Sequence, residues 1–200
     1  MKKTLRLFQW VFLLAGAAAL GYFLFAIFDA HIYQAREQDS FEELRRNRDD
    51  SASSSASANK GDPNLIGRLI VPRLKLSVMV RNGVDAKTLR RAAGRIPGTA
   101  RPGESGNLGI AGHRDSFFRG LRDVRKNDHI RLTTLDASYE YQVDSIQIVR
   151  PQDVSVLKDP GHSALTLVTC YPFDFIGSAP KRYIVHARQV ASAERVAFAR

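Results

Sequence analysis

Between Asn64 and Val190 the chain is a succession of short segments rich in β-branched and aromatic residues, separated by Pro, Gly and Asn. Runs this short between turn-forming residues are typical of β-strands. One segment, Asp85–Ala93, has a helical pattern, and Asp85 is placed to cap it. Many short strands with one clear helix predict a mainly β domain, a closed barrel or a sandwich. The predicted strands are Leu65–Val71, Leu74–Arg81, Asn107–Ala111, His129–Leu135, Tyr139–Val149, Ala164–Cys170 and Lys181–Val190.

The segment Tyr139–Val149 changes phase part of the way along. The alternation that begins at Tyr139 and Tyr141 has the opposite parity from Ile146 onward. An extra residue in one strand of an antiparallel pair shifts the alternation in this way. The sequence therefore predicts a β-bulge near Asp144 and Ser145.

The N-terminal part of the chain contains 19 consecutive residues without a charge, Trp10–Phe28. As a helix this run would be about 29 Å long, close to the ~30 Å hydrocarbon core of a bilayer. Its small residues lie inside the run and not at its end, which favours an uncleaved signal anchor over a cleaved signal peptide. Lys2, Lys3 and Arg6 favour a cytoplasmic N-terminus. These features predict a single-pass membrane protein whose folded part is extracytoplasmic.

A polar stretch separates this apolar run from the folded part. Residues 31–48 carry mixed charges and predict a short juxtamembrane helix, and Ser51–Ala58 contains only Ser and Ala. The Ser/Ala composition cannot build a core and is typical of a flexible spacer. We therefore divide the chain into five parts: a cytoplasmic N-terminus (1–9), a transmembrane anchor (10–28), a juxtamembrane segment and linker (29–63), the folded domain (64–190) and a tail (191–200).

The net charge of +10 belongs almost entirely to the folded part. Residues 1–60 hold eight Lys/Arg and seven Asp/Glu, whereas residues 61–200 hold 22 and 13. A surface this basic favours anionic surroundings such as lipid headgroups or an anionic polymer, although a simply solvated surface has the same composition. The sequence contains no nucleic-acid recognition motif, so we do not expect a nucleic-acid partner.

Cys170 is the single cysteine of the chain, so it cannot form an intramolecular disulfide. A lone thiol outside the cytoplasm indicates either a reactive group or a buried structural residue. Cys170 ends a predicted strand and is followed by Tyr171 and Pro172, which places its sulfur at the rim of the sheet. Catalytic groups concentrate at such rims, and a cysteine nucleophile there needs a base and an oxyanion donor.

Position along the chain leaves two histidines as candidates for the base. His113 follows a predicted strand and a glycine, and His162 lies in the loop eight residues before Cys170. His186 lies inside the last strand, where a packed or hydrogen-bonded role is expected. Arg182 begins the strand that follows the cysteine loop, so it is either a donor near Cys170 or a surface residue.

Three separated motifs resemble the sortases, the cysteine transpeptidases of bacteria, and look closest to class D or class E. They are Asn107-Leu-Gly-Ile-Ala-Gly-His113, Thr166-Leu-Val-Thr-Cys170 and Lys181-Arg182-Tyr-Ile-Val185. The resemblance extends from about Asn64 to Val190. One departure is Arg95, where many relatives have His.

The resemblance implies an eight-stranded β-barrel with short helices. It also implies that Cys170 is the nucleophile, His113 the general acid/base and Arg182 the oxyanion or substrate-positioning donor. Thr169, Ala111, Gly112 and Pro172 would lie along the substrate-binding surface.

By the same resemblance, the substrates would be proteins with an LPxTG-like sorting signal. These would be cleaved after Thr and transferred through a thioester to an amine of a peptidoglycan precursor or of a pilin lysine. We expect no cofactor, and no acidic cluster in the sequence indicates a metal site.

Two alternatives stay open at this stage. A cysteine endopeptidase or amidase would use the same site and release its acyl group to water. A membrane-tethered β-barrel that only binds a partner would keep Cys170 as a packed residue.

Overall fold

The computed structural model describes residues 6, 9–22, 36, 38–43 and 62–194. Within these residues eight strands form a closed barrel in the order β1-β2-β3-β4-β7-β8-β6-β5. The strands are β1 (Leu65–Val71), β2 (Leu76–Asn82), β3 (Ala93–Arg95), β4 (Asn107–Ala111), β5 (His129–Thr133), β6 (Ser138–Val149), β7 (Ala164–Tyr171) and β8 (Lys181–Glu194). The α-helix Ala86–Arg91 joins β2 to β3, and 3₁₀-helices span Pro72–Leu74, Arg119–Asp123 and Val154–Leu157. The prediction of a closed, eight-stranded, mainly β barrel with short helices is confirmed.

Alternating apolar residues of the strands fill the barrel. Leu108 and Ile110 of β4, and Leu165 and Leu167 of β7, are at most 1 % exposed and belong to one core cluster. Residues of the opposite parity therefore lie on the outer face of the barrel. Strand β4 runs parallel to β7, so both strands end at the same rim.

Local sequence signals match the observed elements closely. Asp85 caps the Ala86–Arg91 helix by accepting hydrogen bonds from the backbone N–H groups of Lys87 and Thr88. The β6–β8 register shifts between Val143 and Ser145, as the phase change predicts.

One element was predicted wrongly. Residues Ala93–Arg95 form strand β3, which pairs parallel to β2, whereas the sequence pattern includes Ala93 in the helix and assigns no element to Gly94 and Arg95. Three residues without a β-branched side chain give no periodic signal, and the pairing of this strand depends on the rest of the barrel.

The N-terminal segments lie largely outside the described residues. Residues 9–22 are helical with exposed side chains, and residues 23–28 of the predicted anchor are outside the description. Among the residues described, no helix is both long and apolar enough to cross a membrane. The linker between residues 44 and 61 and the end of the tail, residues 195–200, also lie outside it. Residues 38–43 are helical, with Phe41 fully buried and Glu42 paired with Arg68 of β1 at 3.0 Å.

Candidate active site at the rim of the barrel

The antiparallel pairing of β7 with β8 places Cys170 directly opposite Arg182. Directly opposite residues have their side chains on the same face of the sheet, with Cβ atoms about 4.5–5.5 Å apart. Leu165 and Leu167 point into the core, so Cys170 has the outward parity, and it is half-buried. The Nη1 group of Arg182 donates to the carbonyl of Ala179 at 3.2 Å and to that of Lys181 at 3.0 Å. Both bonds use Nη1, so the Nε and Nη2 donors of this guanidinium group take no part in them.

The parallel pairing of β4 with β7 brings Gly112 and His113 to the same rim. Ala111 is the register partner of Val168, and the N–H of Gly112 donates to the Val168 carbonyl at 3.1 Å. The Thr169 hydroxyl then donates to the Gly112 carbonyl at 2.7 Å. Both bonds continue the pairing past the end of β4. Since adjacent strands lie about 4.8 Å apart, this register leads His113 towards Cys170.

Gly112 allows the chain to turn tightly at this point. A Cβ atom at this position would lie 2.7 Å from Cδ2 of Phe118, whose ring is fully buried. The N–H of Phe118 donates to the His113 carbonyl at 2.9 Å, which holds the turn around the ring. The close approach therefore depends on the missing side chain at Gly112.

The structure separates the two candidate bases. His162 lies just before Ala164, the first residue of β7, whereas Cys170 is six residues further along the strand. Six residues of extended chain correspond to about 20 Å. Of these two exposed histidines, His113 is therefore the one at the Cys170 end. The sequence did not indicate that β4 lies next to β7. This pairing brings His113, and not His162, to the Cys170 end of β7.

The outer faces of β4 and β7 near Cys170 form a surface between two loops, which we call the Cys170 surface. The first loop, residues 150–163, lies over β4: a Cβ atom at Gly109 would lie 3.0 Å from Cδ2 of Leu157. The second loop, residues 172–180, begins at the half-buried Pro172. Ala111 is half-buried on this surface, whereas the Thr169 side chain is buried and directed to the Gly112 backbone.

The β7–β8 loop is fixed at its base and exposed at its tip. Phe173 packs edge-on against Tyr171 and Tyr183, with ring centroids 6.1 and 5.1 Å away. The next aromatic residue, Phe175, has its carbonyl bonded to Nη2 of Arg114. That nitrogen also donates to the Gly177 carbonyl at 3.1 Å, and Arg122 pairs with Asp174. Ile176, at the tip, is 96 % exposed.

Arg114 is a residue whose role the sequence analysis did not identify. It directly follows His113, so one turn joins the histidine to the loop that follows Cys170. Its position directly after His113 was the available signal, but adjacency in sequence does not indicate the partner of the guanidinium group.

Arg95, the departure from the sortase pattern, is 9 % exposed and supports a neighbouring loop. Its Nε donates to the Asn82 side chain at 3.1 Å, and its Nη1 donates to the Thr99 carbonyl. The Thr99 methyl group lies within 3.0 Å of a Cβ position at Gly109. The Arg95 side chain therefore supports the loop that contains Thr99, which contacts the outer face of β4 at Gly109.

Burial changes two pKa values near the rim and along β8. It raises the pKa of Tyr183 above that of an exposed tyrosine. It lowers the pKa of His186, an effect that the Asp144 carboxylate opposes. In the part of the chain that the structure describes, no group of three or more His, Cys, Asp or Glu residues is arranged to hold a metal ion.

Comparison with known proteins shows the family. The family model described as the sortase domain matches residues 69–190. The chain belongs to the sortase family. It is 29 % identical to Sortase D of Bacillus subtilis over 203 residues, which cover 95 % of this chain and 100 % of that protein.

Two solved structures have the same fold. A Sortase D5 transpeptidase of Clostridium perfringens superposes with a TM-score of 0.64 at 24 % identity, covering 80 % of this chain and 99 % of the other. Sortase E1 of Streptomyces coelicolor, solved with a tripeptide in its active site, has a TM-score of 0.59 at 28 % identity. Its match covers 64 % of this chain and 89 % of that chain.

Proposed function

We propose that this chain is a membrane-anchored transpeptidase that cleaves an LPxTG-like sorting signal after Thr and transfers the acyl group to an amine. The observation that carries the proposal is the position of Cys170 on the outer face, opposite Arg182 and one strand away from Gly112 and His113. Membership of the sortase family supports the reaction class. Similarity to Sortase D supports assignment to class D.

In the proposed reaction Cys170 attacks the carbonyl carbon of the signal's Thr. A C–S bond forms, and the oxyanion of the intermediate accepts hydrogen bonds from Arg182, whose planar group presents several donors. Collapse breaks the C–N bond, and the proton held by the Cys170–His113 pair moves to the leaving amine. A thioester on Cys170 results.

The second half of the reaction reverses these roles. The accepting amine attacks the thioester carbonyl, His113 takes the proton of the amine, and the thiolate of Cys170 leaves as the new amide forms. The acceptor is a peptidoglycan precursor or a pilin lysine. The basic folded part, with 22 Lys/Arg against 13 Asp/Glu in residues 61–200, suits an anionic cell-wall or membrane environment.

Membrane attachment is part of the proposal. The uncharged run Trp10–Phe28 is long enough for one span, and Lys2, Lys3 and Arg6 favour a cytoplasmic N-terminus. The helical residues 9–22 expose apolar side chains, which is the distribution that a lipid environment requires. We place the barrel outside the cytoplasm.

Product analysis tests the reaction type. The full-length protein in detergent is incubated with an LPxTG-like peptide, with and without an added primary amine, and the products are separated by chromatography. A transpeptidase yields the amide of the added amine at the expense of the hydrolysed peptide. Hydrolysis at an unchanged rate with no amide product would show a peptidase, and no cleavage across a panel of signals would refute the proposal.

A further inference from the structure

Four polar side chains on the outer face of the barrel form a continuous hydrogen-bonded series across four adjacent strands. We call it the polar chain: Gln147 of β6, His186 of β8, Thr166 of β7 and Asn107 of β4. Gln147 Nε2 lies 2.7 Å from His186 Nε2, and His186 Nδ1 lies 3.0 Å from the Thr166 hydroxyl. The Thr166 hydroxyl donates to Asn107 Oδ1 at 2.8 Å.

The directions of the hydrogen bonds in the polar chain follow from its two ends, Asn107 and Gln147. Both N–H groups of Asn107 Nδ2 are directed at backbone carbonyls, so Oδ1 is the acceptor for Thr166. The single proton of the Thr166 hydroxyl is then used, and its oxygen accepts from His186 Nδ1–H. His186 therefore carries a proton on Nδ1. At the other end the amide nitrogen of Gln147 can only donate, so His186 Nε2 accepts from it and the ring is neutral. The burial that lowers the pKa of His186 favours the same neutral form.

The polar chain ends on the backbone of residues 150–163, which we call the β6–β7 loop. Asn107 Nδ2 donates to the carbonyls of Val156 and Lys158, each at 3.2 Å. Between them, Leu157 lies over Gly109 of β4. These contacts fix the 3₁₀-helix Val154–Leu157 against the outer face of β4, where it borders the Cys170 surface.

Burial makes the central members of the polar chain sensitive to the loss of a partner. Thr166 is 0 % and Asn107 is 5 % exposed, so an unpaired group there is costly. Thr166 lies four residues before Cys170 on β7, a distance of roughly 13 Å, so it does not touch the reacting atoms. Gln147, at the other end, is exposed and borders a cavity of about 440 Å³.

We propose that Asn107, Thr166 and His186 are positioning residues that hold the β6–β7 loop as one wall of the substrate-binding surface. This inference rests on the proposed function. The three residues act on substrate binding through the loop, so they set KM and leave the chemistry at Cys170 unchanged.

Replacing Thr166 tests the inference, because Thr166→Val removes the central hydroxyl and keeps the shape of the side chain. Thr166→Ser keeps the hydroxyl and is the matched control. In the full-length protein we expect Thr166→Val, which removes the hydrogen bonds to Asn107 and His186, to raise KM for the sorting peptide roughly fivefold to tenfold. The kcat should stay within about twofold of the unaltered protein, and Thr166→Ser should restore KM.

The rate of hydrogen exchange in the peptide spanning residues 150–163 measures how firmly the β6–β7 loop is held in the absence of substrate. We expect faster exchange in Thr166→Val than in Thr166→Ser, with equal rates of Cys170 alkylation. Unchanged exchange in this peptide, or a fall in kcat with unchanged KM, overturns the inference. If Thr166→Val does not fold, Asn107→Ala is measured in the same way, because water can enter the space it leaves.

The two proposals fail in different ways. If the unaltered protein cleaves no sorting peptide, both the proposed function and the substrate-binding role of the loop are refuted. The exchange result still decides whether the polar chain holds the loop. If the unaltered protein is active and Thr166→Val, or Asn107→Ala in its place, matches it in KM and in hydrogen exchange, only the positioning role fails.

Discussion

At the scale of single residues, the rim depends on small contacts that determine where His113 lies. The hydroxyl of Thr169 and the missing side chain of Gly112 fix the end of β4 against β7 and against the Phe118 ring. Thr169 was expected on the substrate-binding surface, but its side chain is buried against the Gly112 backbone. The place of Cys170 at a strand end indicated a reactive group and left two histidines open, and the sortase resemblance selected His113. The parallel pairing of β4 with β7 places that histidine at the Cys170 end of β7.

Gly112→Ala should disturb His113 without touching Cys170. The new methyl group would press on the buried Phe118 ring at about 2.7 Å, and overpacking of this kind costs roughly 1–3 kcal/mol of stability. A displacement of about 1 Å can lower activity about 100-fold, so we expect a loss of that order in kcat/KM. Gly120→Ala is the control, since its methyl group would meet Leu76 at an ordinary 3.8 Å. Equal activity in the two variants would contradict the role of Gly112.

Arg182→Lys should keep the positive charge and remove the planar set of donors. If Arg182 stabilises the oxyanion, we expect kcat to fall about 100-fold, the usual effect of removing one oxyanion donor, with a smaller change in KM. Steady-state kinetics with the sorting peptide measure this directly. Turnover equal to that of the unaltered protein would show that charge alone suffices and would refute the donor role.

At the scale of secondary-structure elements, the sequence predicts strands with a clear local pattern and does not predict features that depend on strand pairing. Strand β4 was predicted with its observed bounds, Asn107–Ala111, because Gly106 and Gly112 flank this short run. Strand β3 and the polar chain were not predicted, because both depend on pairings between segments distant in sequence. Patterns within one segment could not reveal them.

Arg114→Gln should loosen the β7–β8 loop. The change removes the guanidinium bonds to the carbonyls of Phe175 and Gly177, while Phe173 remains packed at the base. We expect faster hydrogen exchange in residues 174–178 and a several-fold lower kcat/KM. Arg131→Gln is the control, because Arg131 lies on β5, a strand not bonded to β7 or β8, and the change removes only its exposed ion pair with Glu140 of β6. The same exchange in both variants would show that Arg114 does not hold the loop.

At the scale of the whole molecule, barrel closure removes free sheet edges and brings β4, β7 and β8 side by side. The alternation of apolar residues predicted the β-rich architecture, and the sortase resemblance selected the barrel over the sandwich. The domain boundaries and the membrane anchor stay predictions, since much of the N-terminal region lies outside the described residues.

The stability of the barrel should decrease in mild acid through His186. Its pKa is lowered in the folded protein, whereas an unfolded histidine titrates near ~6.5. The unfolded chain therefore takes up the proton first, so the free energy of unfolding falls as the pH drops from about 6.5 through the lower folded pKa. Thermal unfolding of the full chain between about pH 7.5 and pH 5 measures this. His186→Asn should flatten the slope, and an equal slope in both proteins would contradict this assignment.

The central claim is that Cys170 captures an acyl group. Intact-mass spectrometry of the full-length protein after a short incubation with an LPxTG-like peptide, quenched in acid, tests it most directly. We predict a mass increase equal to the peptide fragment ending at Thr, located on Cys170, lost on addition of an amine and missing in Cys170→Ala. Cleavage of the peptide with no adduct on Cys170, or equal cleavage by Cys170→Ala, would contradict the account.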